Sequence, residues 1–264
     1  MAEKISNKEY RMRPGVSRSE LQLLRKSPKH LEYALQHRGE EDTKALAFGR
    51  AVHKWILEED TFFDEFCICP TVDRRTKEGK AEWERFLLSS DSREVITEAE
   101  MEQIVAMKDV INASPFVSHL LKGETEMSFF WTDEETGETC KCRPDCLSTF
   151  DGKKVIVDYK TTEDCSHDAF RRSCNKYGYK LQAGMYREGL FQNTFDDYGF
   201  VFVAQEKKAP YCVNVFLCFE DFISEGYDEY RALLGIYHRC NEEDKFPGYE
   251  GFDEEYDILE GDEC

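Results

Sequence analysis

Arg143-Pro144-Asp145-Cys146-Leu147-Ser148-Thr149-Phe150-Asp151-Gly152-Lys153-Lys154-Val155-Ile156-Val157-Asp158-Tyr159-Lys160-Thr161 is the stretch that sets the architecture. Asp151-Gly152, flanked by apolar and β-branched residues, predicts a two-residue hairpin turn. With those two residues at the turn, Phe150 faces Lys153, and the same register carried away from the turn sets Asp145 opposite Asp158. Directly opposed side chains lie about 4.5–5.5 Å apart at Cβ, so two carboxylates there repel unless a cation neutralises them. Side chains alternate along a strand, which places Val155, Val157 and Tyr159 on one face and Ile156, Asp158 and Lys160 on the other. Lys160 then projects beside the carboxylates, where an ammonium can stabilise charge on a phosphate or orient an attacking water. Hard carboxylate oxygens suit Mg²⁺, with Mn²⁺ possible, and either ion can activate water and polarise a phosphate. The same residues also permit a plainer reading, in which Asp145 and Lys160 form a cross-strand ion pair on a solvated sheet face. A turn slipped by one or two residues is a further alternative.

Helical patterns precede this hairpin. Ser17-Arg18-Ser19-Glu20 predicts a capping box opening a helix through about Lys26, and Ser27-Pro28 opens a second helix through Gln36. Leu46, Val52, Trp55 and Ile56 recur at helical spacing over about Thr43 to Glu59, with His53 beside that stripe. After a loop expected from Pro70 to Gly79, helices are expected over Lys80–Leu88 and Thr97–Asn112, the second opened by Thr97-Glu98-Ala99-Glu100. Three antiparallel strands follow at Glu126–Trp131, Thr139–Phe150 and Val155–Thr161. A helix over about Tyr179–Phe191, strands near Tyr198–Ala204 and Val213–Phe219, and a helix over about Phe222–Arg239 complete the pattern. The sum is an α/β core, a mixed sheet flanked by helices, with a helical N-terminal extension.

At 264 residues the chain is long enough for one sizeable core. We expect a single domain over 1–247 and an acidic C-terminal tail over 248–264. Residues 242–264 carry eleven Asp or Glu and one Lys, which is more than half of the net charge of −19. That charge opposes nucleic-acid binding, which draws on Lys and Arg. Basic residues nevertheless cluster at Arg11, Arg13, Arg18, Arg25, Lys26 and Lys29, at Arg74, Arg75, Lys77 and Lys80, and at Arg171, Arg172, Lys176 and Lys180. They could line an internal groove or lie on plain exposed faces. There is no 18-residue apolar run and the first ten residues lack a hydrophobic signal core, so no membrane contact and a soluble, cytoplasmic protein are expected. The eleven cysteines include one odd thiol and lack paired C-x₂-C knuckles, which favours reduced thiols over a zinc or iron-sulfur site.

The order of elements resembles the PD-(D/E)XK nuclease fold, a restriction-endonuclease-like core, and several segments narrow that resemblance. Phe48-Gly49-Arg50-Ala51-Val52-His53, Arg74-Arg75-Thr76, Cys140-Lys141-Cys142-Arg143-Pro144-Asp145, Val157-Asp158-Tyr159-Lys160-Thr161-Thr162 and Gln182-Ala183-Gly184-Met185-Tyr186, in this order, resemble the exonuclease VIII (RecE-type) recombination exonucleases of phages and prophages. The similarity runs from about Gly15 to about Pro247. It implies a Mg²⁺-dependent exonuclease that degrades one strand of double-stranded DNA 5′ to 3′ from its ends, leaving 3′ single strands for annealing; the alternatives are another PD-(D/E)XK nuclease, single-strand or structure-specific, and a non-catalytic acidic protein that mimics DNA charge. It also implies a ring-shaped homo-oligomer and a RecT-type single-strand annealing partner. His53, Asp145 and Asp158 would be metal ligands together with the Tyr159 carbonyl, and Lys160 the catalytic lysine. Glu126 stands where related nucleases carry an acid near a bound water or second cation; read by itself it is an exposed strand-edge glutamate. Gln182 and Tyr186 match the Q-x₃-Y motif of RecB-like nucleases, and their spacing sets both on one helical face with Tyr179 a turn earlier. By residue type alone His53 borders an apolar stripe, Tyr186 is a core tyrosine, and Arg143 either reaches a phosphate or pairs with a neighbouring acid. The chain lacks a cysteine triplet near its C-terminal end and a G-x₄-G-K-[ST] loop, so neither a cluster-bearing nuclease nor an intrinsic ATP motor is expected.

Overall fold

The structure, a computed structural model, describes residues 2–37, 44–91 and 93–249. Its elements in chain order are α1 (Asn7–Met12), β1 (Val16–Ser17), α2 (Arg18–Leu23), α3 (Pro28–Gln36), α4 (Lys44–Leu57), α5 (Phe62–Glu65), β2 (Phe66–Cys69), α6 (Lys77–Ser89), β3 (Glu94–Thr97), α7 (Glu98–Asn112) and α8 (Pro115–Leu120). Then come β4 (Glu124–Thr125), β5 (Phe129–Thr132), β6 (Thr139–Cys142), β7 (Cys146–Phe150), β8 (Lys153–Thr162), α9 (His167–Tyr177), α10 (Tyr179–Thr194), β9 (Gly199–Glu206), β10 (Val213–Cys218) and α11 (Glu220–Glu243). Thr43 and most of the expected acidic tail fall outside the described residues.

The hairpin forms as its sequence predicts. Asp151 and Gly152 both take positive φ, 48° and 75°, as a type I′ turn demands, and Phe150 pairs with Lys153. The register runs unbroken to Cys146 opposite Val157. β8 pairs parallel with β9 on its other edge, giving a five-stranded mixed sheet in the order β10-β9-β8-β7-β4. Both faces of this sheet are covered. Val155, Val157, Tyr159, Val201 and Val203 enter one apolar cluster with residues of α4, α7 and α8. Ile156, Phe200, Phe202 and Ala204 enter the other with residues of α2, α9, α10 and α11. The alternation read from the sequence is therefore correct, but the solvated face of the plainer reading does not exist, since Asp158 is only 1% exposed. Leu21, Leu24 and Leu31 pack into the second cluster, so the N-terminal helices belong to its layer.

Two of the expected strands are corrected. Thr139–Phe150 is not one strand: it breaks at Arg143-Pro144-Asp145, and β6 joins β1 and β5 in a separate three-stranded sheet while β7 stays in the main one. Proline has no N–H to give to a ladder, so the strand turns from one sheet to the other at Pro144. Opposite that break Glu126 takes a positive φ of 54° and separates β4 from β5, so it lies between two strands rather than at the start of one. α9 and the parallel pair β2 and β3 were absent from the sequence expectation, and α6 begins inside the expected loop, with Thr76 accepting from the Gly79 N–H at 3.0 Å.

Candidate active site

The break at Arg143-Pro144-Asp145 frees the edge of β8 just beyond its last pair with β7. The Asp145 carboxylate fills that edge: its Oδ2 accepts the Tyr159 N–H at 2.8 Å, as a ladder partner would. In a strand, the N–H and C=O of one residue point to the same side, so the Tyr159 carbonyl faces this edge as well. The Tyr159 ring turns into the opposite core, where its hydroxyl donates to Gln205 Oε1 at 2.6 Å. His53, carried on α4 beside buried Ala51 and Val52, stands edge-on to that ring with centroids 5.1 Å apart, and its Nδ1 lies 3.5 Å from Asp145 Oδ2.

Asp158 and Lys160, two residues apart on one face of β8, form a direct ion pair through Asp158 Oδ1. The other oxygen, Oδ2, accepts from Gln182 Nε2 on α10, and Gln182 Oε1 accepts from Arg18 Nη2 at 2.8 Å. Gln182 is 2% exposed, so this amide bridge from α2 to β8 is closed to solvent. Lys160 Nζ also lies 4.9 Å from the centroid of the Tyr179 ring, a cation–π contact that limits where the ammonium can swing. Tyr186, one turn beyond Gln182, is packed against the same core, and burial raises its hydroxyl pKa well above the ordinary range. Glu126 meets Arg143 Nε at 2.6 Å and is largely covered, so it is not the exposed edge glutamate of its plainer reading.

The electrostatics follow from this crowding. Burial, then the charge of Asp158, pushes the Asp145 carboxyl up to about 8. Burial and the Asp145 charge push Glu126 up to about 7. Burial and the nearby Lys160 ammonium lower His53, which leaves a neutral imidazole able to donate a lone pair. Buried carboxylates that repel one another, a facing carbonyl and a neutral imidazole make a hard, mainly oxygen donor set that fits a divalent cation. Among the described residues no three His, Cys, Asp or Glu side chains stand in a ready-made cage, because Lys160 holds Asp158 while Tyr159 holds Asp145. The expected residues His53, Asp145, Asp158, Tyr159, Lys160, Gln182 and Glu126 are thus gathered around the end of β7, with Tyr186 alongside. Sequence reasoning missed Arg18, counted there only as one of a basic cluster. Nothing in its local sequence signals a reach to Gln182, which is 164 residues away.

No curated protein matches the chain. A crystal structure from Eubacterium rectale, named "Putative exonuclease", superposes with a TM-score of 0.64 at 16% identity, covering 95% of this chain and 92% of that one. A second crystal structure, SSO0001, reaches a TM-score of 0.31 at 14% identity over 71% of this chain and 85% of its own, too low to bear an argument. At such identities the first match speaks for the fold alone. A family profile described as "PDDEXK-like domain of unknown function (DUF3799)" matches residues 17–255, nearly the whole chain. The chain belongs to this PDDEXK-like family and has its nuclease-like fold.

Proposed function

We propose that the chain is a divalent-cation-dependent exonuclease that enters double-stranded DNA at its ends, degrades one strand 5′ to 3′ and leaves 3′-ended single strands for recombination by annealing. The observation that carries this reading is the gathering of Asp145, Asp158 and Lys160 where β7 breaks away from β8, in a chain of the PDDEXK-like family. Asp145, Asp158, the Tyr159 carbonyl and His53 would hold the cation, Mg²⁺ or, given the imidazole, Mn²⁺. When bound, the cation supplies charge for the scissile phosphate and makes a water more acidic. Lys160, paired with Asp158, would offer its ammonium to charge that develops as the P–O bond breaks. Gln182 fixes the Asp158 carboxylate in one orientation, and Arg18 in turn fixes the Gln182 amide with its NH₂ toward the acid. The neutral His53 can ligate without first losing a proton.

A ring-shaped homo-oligomer and a RecT-type annealing partner belong to the same reading, since a ring can enclose DNA while its exterior stays acidic. Several of the basic residues do not make a bare cationic surface. Arg13 pairs with Glu3 and Glu9, Arg25 with Glu229, Lys29 with Glu32 and Lys180 with Glu225. Arg74, Arg75, Lys77 and Lys80, together with Arg171, Arg172 and Lys176, are exposed and remain the candidates for DNA contact. The test is to incubate the protein with 5′-labelled and 3′-labelled linear duplex, closed circles and single strands, with Mg²⁺ or with chelator. Mg²⁺-dependent loss of the 5′ label from linear duplex with circles left intact is expected. Equal cutting of circles would point to an endonuclease, and no cutting with any divalent ion would end the nuclease reading.

A further inference from the structure

Arg143 is a buried cation with unfilled donors. Its side chain is only 10% exposed, and neither Nε nor Nη1 makes a hydrogen bond among the described residues. Glu126 Oε2 lies 2.6 Å from Nε, but the N–H does not aim at it, so the pair is a close charge contact without an aligned bond. The Tyr10 ring covers the guanidinium at 5.9 Å, and Lys141 behind it is spent on the Arg13 carbonyl at 2.7 Å. A guanidinium taken out of water with donors unmet is unfavourable, and folded proteins seldom keep one without a ligand to receive it. Its fork matches two oxygens of one phosphate, which a carboxylate side-on to Nε does not satisfy. The position is also set by the backbone: Arg143 shares the strand break with Asp145, two residues on.

We propose that Arg143 is a nucleic-acid phosphate-binding residue, whose guanidinium takes a backbone phosphate next to the carboxylate pair when Glu126 turns away from it. This rests on the nuclease reading above. It gives Glu126 a second task, as the close contact that holds the guanidinium in place until phosphate arrives.

The experiment is fluorescence anisotropy of a labelled linear duplex with the full chain, Ca²⁺ replacing Mg²⁺ to hold back cleavage, over a series of NaCl concentrations. Wild type is compared with Arg143→Gln, and Glu126→Gln with the double variant Glu126→Gln/Arg143→Gln, whose two neutral amides can bond each other if the single change unfolds the protein. Loss of one phosphate contact should make the slope of log affinity against log salt shallower by about 0.9. Arg143→Lys should keep the slope, because its charge remains, yet cut about tenfold more slowly in Mg²⁺ because the fork is gone. Wild-type slope and affinity in Arg143→Gln, or in the double variant relative to Glu126→Gln, would overturn the proposal while leaving the nuclease reading intact. A wild-type protein that neither cuts nor binds duplex would remove both.

Discussion

Asp158 holds a buried charge between one ammonium and one amide, and each partner makes a separate prediction. Lys160→Ala should lower the cleavage rate by about 10²–10³-fold with little change in duplex affinity, because a charge developing in the transition state loses its partner. Gln182→Ala should cost about 10–100-fold in activity or cation affinity, since the ligand it orients becomes free to turn. Single-turnover rates and titration with Mn²⁺ check both, and near wild-type values in Lys160→Ala would remove that residue from the site. Asp145 and Glu126 make a prediction about pH. In the metal-free fold they keep protons up to about 8 and about 7, whereas in the unfolded chain they lose them near ordinary carboxyl values. At these two groups the fold binds more protons than the unfolded chain between those limits, so their contribution to stability falls as pH rises through about 5 to 8, which outweighs the single opposing proton of the lowered His53. Urea midpoints in chelator should drop over that range, Mg²⁺ should restore them at pH 8, and Asp145→Asn should flatten the trend; midpoints that climb would contradict it.

The helices matter because they bring residues distant in sequence to β8. α10 lies so close to α11 that a Cβ at Gly226 would sit 1.8 Å from the Lys180 carbonyl oxygen, and one at Gly184 2.2 Å from the Tyr227 backbone nitrogen. Gly226→Ala should therefore destabilise the protein by about 1–3 kcal/mol, lowering the melting temperature by several degrees and loosening the helix that carries Gln182. An unchanged melt would show that the two helices separate easily. The hairpin and the capped helices were legible because their signals are local: Asp151-Gly152 turns as read, and Thr97 and Glu100 complete their box at 2.7 and 3.1 Å. The strand break was not. Thr139–Phe150 reads as one run of nearly alternating apolar and polar residues, and only Pro144 within it argues for interruption; its meaning depends on a second sheet formed with β1, far away in sequence. α9 was missed because its exposed face is rich in Arg, Asn and Lys, and only Phe170 and Cys174 are buried. In the site, Asp145, Asp158 and Lys160 were readable from one hairpin. His53 and Gln182 needed the family resemblance, and Arg18 and the Arg143–Glu126 pair needed the fold.

The chain as it stands combines a net charge of −19 with a site whose proposed substrate is a polyanion. Binding must then rest on a few well-placed cations, and raising NaCl from 50 to 200 mM should weaken duplex affinity strongly, in proportion to the phosphates contacted. Met12, Leu88, Phe195 and Phe219 are exposed apolar residues, and light scattering should return a multiple of 30.9 kDa, whereas a particle of 30.9 kDa would contradict the ring. No helix among the described residues is long and apolar enough to cross a membrane. The proposed activity depends on Asp145 and Asp158 sharing one divalent cation. The most direct measurement is anomalous diffraction from crystals soaked in Mn²⁺. A single strong peak bridging the Asp145 and Asp158 carboxylates, with His53 and the Tyr159 carbonyl at ligand distance and Lys160 displaced from Asp158, is the predicted result. Diffraction with no peak there, from protein that still cleaves DNA in Mn²⁺, would contradict it.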